Sequence, residues 1–350
     1  MAESVNRKQL NRRMIIVFVV LAVLMVGSIT LYIFSRTYFN AWRLNIPMTP
    51  LAFERIMGRT IPAVVGMVSA SVIIALVSLS FQTITQSRIL TPSMIGFDSV
   101  FIGTQTLLVF AFGTFTPFFQ SPIYNFFVTS GAMVAISLLM FGSILRRSKN
   151  NIIFLLMFGL VLSGIVSNGA RYIQALMSHY DFYQVQAATA VTVMNMNTDV
   201  IRVAVPIIII VVVLLLINHR TYDVMSLGAE QATSLGVNYQ RQMTYTLILV
   251  SIGMSVSTAM IGSLTFLGLL VVNAARELIK THRHLPLFIC SAAVGIITLV
   301  LGSAAEQLLS GGIPIPFIGT TLQVAIPLTT IINLVGCTYV FYLILKENRI

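Results

Sequence analysis

The chain has 350 residues, 57% of them hydrophobic and only 9% charged, with a formal net charge of +11. A soluble domain carries about 25% charged residues, so a mean hydropathy of +0.93 with repeated apolar runs of about 20 residues defines a polytopic helical membrane protein. The runs are continuous rather than alternating, which excludes a membrane β-barrel. The basic residues are scattered in short segments beside the spans, which excludes nucleic acid as a partner.

The opening MAESVNRKQLNRR (1–13) is a polar tail. The apolar run after it (14–34) is too long for a cleaved signal peptide and ends without a small-residue cleavage site, so it is the first span. The pattern predicts nine more, at 61–81, 95–114, 123–144, 152–174, 199–217, 243–262, 263–280, 286–305 and 324–345. The eighth is the least regular, because its second half is charged. Trp42 with Tyr38 and Phe39 forms an aromatic cluster suited to a membrane interface. Residues 175–198 read as a short helix lying on a surface. Residues 304–322 have a helical start followed by a Gly-Gly-Ile-Pro break. No stretch is polar and long enough for a separate soluble domain, so residues 1–350 form one transmembrane unit.

Ten spans put both termini on one side. That side then holds Arg7, Lys8, Arg12, Arg13, Arg88, Arg146, Arg147, Lys149, Arg220, Arg241, Arg276, Lys280, Arg283, Lys346 and Arg349. The other holds only Arg36, Arg43, Arg55, Arg59, Arg171 and Arg202. Positive charge accumulates on the cytoplasmic side, so the termini are expected to be cytoplasmic.

The spans hold little that could do chemistry. Cys290 and Cys337 fall in apolar runs and read as packing residues. The four histidines (His179, His219, His282, His284) lie outside spans or at their ends. No metal-ligand spacing occurs, and neither a metal nor a cofactor is expected. Asp98, in GFDSVF, reads as a helix cap beside Gly96 rather than as an ion site. Without a row of membrane carboxylates, an ion-driven transporter lacks its coupling groups. Without a nucleophile and base in the spans, a membrane enzyme lacks its machinery. Both remain as alternatives of another class.

The energy source should therefore lie on a partner, and SLGAEQATSLGVNYQRQ (226–242) points to where. Flanked by long apolar runs, it is polar, ordered in pattern and glycine-bounded. Ser226, Gly228 and Ala229 start a short helix. Gly236 and Asn238 suit its exit turn. Ala232 and Leu235 offer a shallow apolar contact for a groove on a partner. Glu230 and the lack of Lys or Arg between 226 and 240 argue against a helix lying on anionic lipid.

Gly228-Ala229-Glu230-Gln231-Ala232-Thr233-Ser234-Leu235-Gly236-Val237 resembles the cytoplasmic coupling segment of FecCD-type permeases, the membrane subunits of bacterial iron-chelate and cobalamin ABC importers. Three other stretches agree in order. RTIPAVVGMVSASVIIALVSLSFQTIT (59–85) resembles the family's second span, including Gln82. LTPSMIGFDS (90–99) resembles its Pro-x-x-x-Gly turn through Pro92 and Gly96. GSLTFLGLLVVNAARELIKTHRHLPL (262–287) matches through Gly262, Phe266, Gly268, Leu269, Ala275, Arg276 and Arg283. The resemblance covers about residues 50 to 345. Departures stand at Ser87-Arg88, Val272-Asn273, Gly336-Cys337-Thr338 and Gly58-Arg59, and they favour the ferric-siderophore branch over the cobalamin branch.

The resemblance implies a multi-pass permease of the bacterial cell (inner) membrane. It implies as partners an ATP-binding subunit, a second permease subunit, identical or homologous, and an extracytoplasmic substrate-binding protein. Residues 222–241 would dock the ATPase, through Gly228, Glu230, Ala232, Leu235 and Gly236. Arg55, Arg59 and Arg43 would meet carboxylates on the binding protein. Gln82, Ser163, Ser167 and Asn168 are small or polar residues suited to a translocation path. Ser163 and Ser167 share one helix face. The chain has no phosphate-cradling Gly-x-x-x-x-Gly-Lys-Ser/Thr loop, so ATP hydrolysis belongs to the partner. The expected cargo is ferric siderophore, with cobalamin or haem as the alternative within the family.

Overall fold

The structure, a computed structural model, describes residues 2–39, 49–147, 152–191, 193, 196–310, 313–314, 321–322 and 327–347. It is helical almost throughout. Ten helices correspond to the ten predicted spans: α1 (Ala2–Phe34), α2 (Pro50–Thr85), α3 (Phe97–Phe112), α4 (Pro122–Arg147), α5 (Ile152–Leu176), α7 (Thr198–Ile217), α10 (Tyr239–Ile261), α11 (Leu267–Ile279), α12 (His284–Ser310) and α13 (Leu328–Glu347). Shorter helices between them include α6 (His179–Thr189), α8 (His219–Met225) and α9 (Ala229–Ser234). Among the described residues, six helices are long and apolar enough to cross a membrane. They begin at Met14, Pro50, Pro122, Thr198, Tyr239 and His284.

The predicted surface helix in 175–198 is α6, which starts on Ser178. The Ser178 side chain accepts the Asp181 backbone N–H. The Gly-Gly-Ile-Pro break falls largely outside the described residues, apart from a two-residue antiparallel pairing of Ile313–Pro314 with Thr321–Leu322.

Helix α2 organises the bundle. Thr49 caps it by accepting the Ala52 N–H at 3.3 Å, with Pro50 in the first position, where a missing donor costs nothing. From Thr60 onward most of its residues are buried, and it packs against α7, α10, α11 and α12. Close approach depends on small residues, as expected where helices meet in lipid. A Cβ on Gly268 of α11 would collide with Ser78 Oγ, and one on Gly253 of α10 would lie 2.8 Å from Val77.

The eighth predicted span proves to be two things. Residues 262–266 are not a regular helix, and α11 has only 13 residues, about 20 Å of helix against a hydrocarbon core of about 30 Å. The irregular stretch sits within the protein, where Leu264 is buried, and α11 buries Leu267 to Asn273. Non-helical backbone at membrane depth is tolerated in such surroundings.

Helices α1 and α13 both contact α11 near its C-terminal end. Met14, Val17, Phe18 and Leu21 of α1 pack with Ala275, Ile279 and Cys290. Tyr339 of α13 donates its hydroxyl to Glu277 at 3.1 Å. The C-terminal ends of α2 and α11 and the start of α12 lie here too, with α8 and α9. Cys290 is a packing residue as expected. Cys337 is exposed on the surface of the chain.

Candidate coupling face

Helix α9 is bounded by two glycines with left-handed backbone, Gly228 at φ +102° and Gly236 at φ +86°. At the exit, Val237 N–H bonds Ala232 O and Gly236 N–H bonds Thr233 O, both at 3.0 Å. This paired arrangement closes a helix on a left-handed residue, and glycine adopts it without steric cost. Asn238 does not share the exit turn. Its φ is −73° and its side chain accepts Arg241 N–H at 3.1 Å, so it caps the start of α10. The polar sequence thus holds a helix end and a helix start three residues apart.

Ala232 also differs from expectation. It is fully buried in the hydrophobic core, so it anchors α9 and offers nothing to a partner. The exposed apolar pair is Leu227 and Leu235, at 52% and 63% exposure, flanking exposed Glu230.

Three tethers hold this segment to the spans. Gln86 Nε2, at the end of α2, donates to Met225 O at 2.9 Å. Tyr239 donates its hydroxyl to Ile84 O at 3.1 Å. His284, the first residue of α12, bonds Asp223 of α8 from its backbone N–H at 2.6 Å and from Nδ1 at 2.8 Å. On the other side of the ring, Nε2 lies 2.8 Å from Thr83 Oγ1. Beneath them Tyr222 is fully buried. Its hydroxyl is 3.1 Å from Thr246, its ring meets Phe288 edge-on, and burial pushes the hydroxyl up to about 12, so it stays neutral.

The sequence reading gave no role to His284 or Asp223. They are 61 residues apart, and only packing joins them. The placement of His284 at the start of a span was the one available signal.

Gln82 is buried near the C-terminal end of α2. Its Nε2 donates to Arg88 O at 2.9 Å, and it lines a polar cavity beside the coupling segment. Ser163 and Ser167 do share a face of α5, but that face is closed. Ser99 of α3 lies 2.6 Å from Ser163 Oγ and accepts from Ser167 Oγ at 2.8 Å. Gly96 approaches so closely that a Cβ there would stand 3.2 Å from Ser163 Cβ. These serines join two helices of one subunit, the usual use of small polar residues in membranes, and do not line an open path. Asn168 lies apart from them, exposed on α5.

Asp98 is not a cap. Gly96 holds the cap position, and the Asp98 carboxylate accepts the Thr265 hydroxyl at 2.5 Å, tying α3 to the irregular 262–266 stretch.

At the opposite end, Arg55 and Arg59 are exposed, four residues apart on one face of α2. With 36 residues, α2 is about 54 Å long, well beyond the hydrocarbon thickness, so its first turns are free to project. Neither arginine forms an ion pair among the described residues. Arg43 lies outside the described residues, as does Trp42.

The fold is a polytopic helical bundle with a polar helix tethered between two of its spans. The chain belongs to the FecCD transport family, whose model matches residues 14–346. Among its relatives, the "Petrobactin import system permease protein YclO" of Bacillus subtilis (strain 168) is 34% identical over 340 residues, covering 97% of this chain and 99% of that protein. The "Petrobactin import system permease protein FatC" of Bacillus anthracis is 31% identical over 294 residues, covering 84% and 81%. A solved metal-chelate type ABC transporter in an inward-facing conformation shares the fold, with TM-score 0.76 over 95% of this chain and 99% of that one, at 19% identity. The chain is accordingly a permease subunit of an ABC importer, multi-pass in a bacterial membrane, and not an enzyme. Its importer includes an ATPase and a substrate-binding protein.

Proposed function

We propose that this chain carries ferric siderophore across the bacterial cytoplasmic membrane. The relatives of known name support the cargo class, and their shared printed name makes ferric petrobactin the first cargo to test. The observation that carries the mechanism is the coupling segment. Helix α9 presents Leu227 and Leu235 outward, while Gln86, Tyr239 and His284 fasten its flanks to α2 and α12. A force applied to α9 by a closing ATPase dimer would be delivered to the central helix through bonds rather than through slack loop.

In this reading both termini and α9 face the cytoplasm, and residues 1–350 act as one permease domain. Arg55 and Arg59 meet carboxylates of the binding protein outside, and Arg43 is assigned there with them. The exposed face of α5, with Asn168, adjoins a second permease subunit and the path between the two. Gln82 sits at the inner end of that path.

Recovery of the ATPase on pull-down tests the coupling assignment. Leu235→Glu combined with Gly236→Asp should abolish recovery and transport while leaving membrane insertion intact. Undiminished recovery would sink the assignment.

A further inference from the structure

Among the described residues, two that are not glycine adopt left-handed backbone: Gln86 at φ +52° and Lys280 at φ +50°. Gln86 ends α2 and Lys280 ends α11, yet both line one polar cavity of about 390 Å³. L side chains persist in this conformation where the surroundings over-determine it, and such positions cluster at binding sites.

The same cavity is lined by Arg88, Arg276, His282 and His284, and none of its lining residues is Asp or Glu. Among the described residues Arg88, Arg276 and Lys280 form no ion pair. Asp223 stands behind His284 and is engaged by it. Arg276 Nε is shielded from solvent without a hydrogen-bond partner. The Arg88 backbone is pinned by two amides from different helices, Gln82 Nε2 at 2.9 Å and Asn273 Nδ2 at 3.0 Å, both donating to Arg88 O. Converging cations without a counter-charge repel one another and are poised for an anion. Two guanidinium forks and an ammonium match the several acceptor oxygens of a phosphate better than a single carboxylate does.

We propose that this cavity binds a phosphate group, held by Arg88, Arg276 and Lys280, whose source is a free phosphate compound or the headgroup of an anionic lipid. The site goes beyond cargo transport and does not rest on the identity of the cargo. Ser226 shares the cavity wall two residues before Gly228. Occupancy would therefore bridge the coupling segment to α2 and α11.

The test uses the full-length permease in phosphatidylcholine nanodiscs, with thermal unfolding followed as pyrophosphate or inorganic phosphate is added. A parallel series replaces a fraction of the lipid by phosphatidylglycerol. The expected result is a saturable rise in midpoint. Arg276→Gln, or Lys280→Gln alone should the first fold poorly, weakens the apparent affinity roughly tenfold, the effect of losing one charge-assisted hydrogen bond. Arg171→Gln, exposed on α5, leaves it unchanged. A rise with the soluble anions assigns a free phosphate compound. A variant-sensitive rise with phosphatidylglycerol alone assigns the lipid headgroup. No rise in either series, or an equal rise in wild type and the Lys280→Gln and Arg276→Gln proteins, overturns the proposal, including when those variants alter only ATPase recovery.

Discussion

His284 Nδ1 lies 2.8 Å from the Asp223 carboxylate, joining the first turn of α12 to the helix that leads into the coupling segment. The His284 side chain is 4% exposed and that of Asp223 34%, so the pair is sheltered on one side only. Through Nε2 and Thr83 the contact continues to the end of α2. Asp223→Ala leaves two donors of His284 without their acceptor. Loss of hydrogen bonds to a charged group costs about 1.5–3 kcal/mol, and the variant should unfold at lower temperature in detergent. It should also lose more transport than ATPase recovery, because α9 still docks but is less firmly tied to the spans.

Gly236 tests the exit turn separately from the docking surface. A β-branched side chain at φ +86° is strongly disfavoured. Gly236→Val should therefore disturb α9 although no atom lies near the added Cβ. Gly236→Asn, tolerant of left-handed backbone, should retain most uptake. Equal uptake for the two would show that backbone conformation here is not limiting.

Glycines in helix interfaces separate by geometry. Gly253→Val must displace Ile73 and Val77 from α2, an overpacking that costs about 1–3 kcal/mol. Gly131→Ala in α4 meets nothing within 4 Å and should hold or raise stability by up to about 1 kcal/mol. Thermal unfolding of the two variants side by side checks the sign of each.

The α3–α5 contact rests on Ser99, which meets both Ser163 and Ser167. Ser99→Ala removes both hydrogen bonds, worth about 0.6 to 1.7 kcal/mol each within a membrane. Stability should fall while residual uptake stays near normal. Asn168→Leu should do the reverse, lowering uptake with little change in stability. If Ser163→Ala lowers uptake without lowering stability, the serines belong to the path after all.

What the sequence disclosed and what it hid follow from range. The ten helices were legible because each holds a local apolar run, but the start of α2 was not, since the apolar pattern begins at 61 whereas Thr49 caps the helix at Pro50. Helix α9 was legible through its two glycines. Ala232 was misplaced because a six-residue helix has too few turns for its buried side to be read from periodicity. Asn238 was misread because exit and entry caps fall within three residues. The Ser163–Ser99 and His284–Asp223 contacts span 64 and 61 residues, and no local pattern announces a partner at that distance. The eighth predicted span proved shorter than its apolar run because Gly262, with left-handed backbone at φ +103°, ends α10, and regular helix resumes only at Leu267.

Docking at the opposite end turns on charge. Arg55→Glu with Arg59→Glu, both on the exposed start of α2, should weaken binding-protein association. The loss should be greater at low salt, where unscreened like charges repel most strongly. Titration of the purified binding protein onto permease-containing nanodiscs at two ionic strengths checks this. Insertion and ATPase recovery should be unaffected.

The central claim is met most directly by uptake of radiolabelled iron in cells lacking this gene, with the gene restored on a plasmid. Iron would be supplied as ferric petrobactin and as other siderophores, with labelled cobalamin alongside. The account predicts that uptake from at least one ferric siderophore is lost and restored by the plasmid, while cobalamin uptake is unchanged. Undiminished iron uptake from every siderophore, or loss of cobalamin uptake alone, would contradict it.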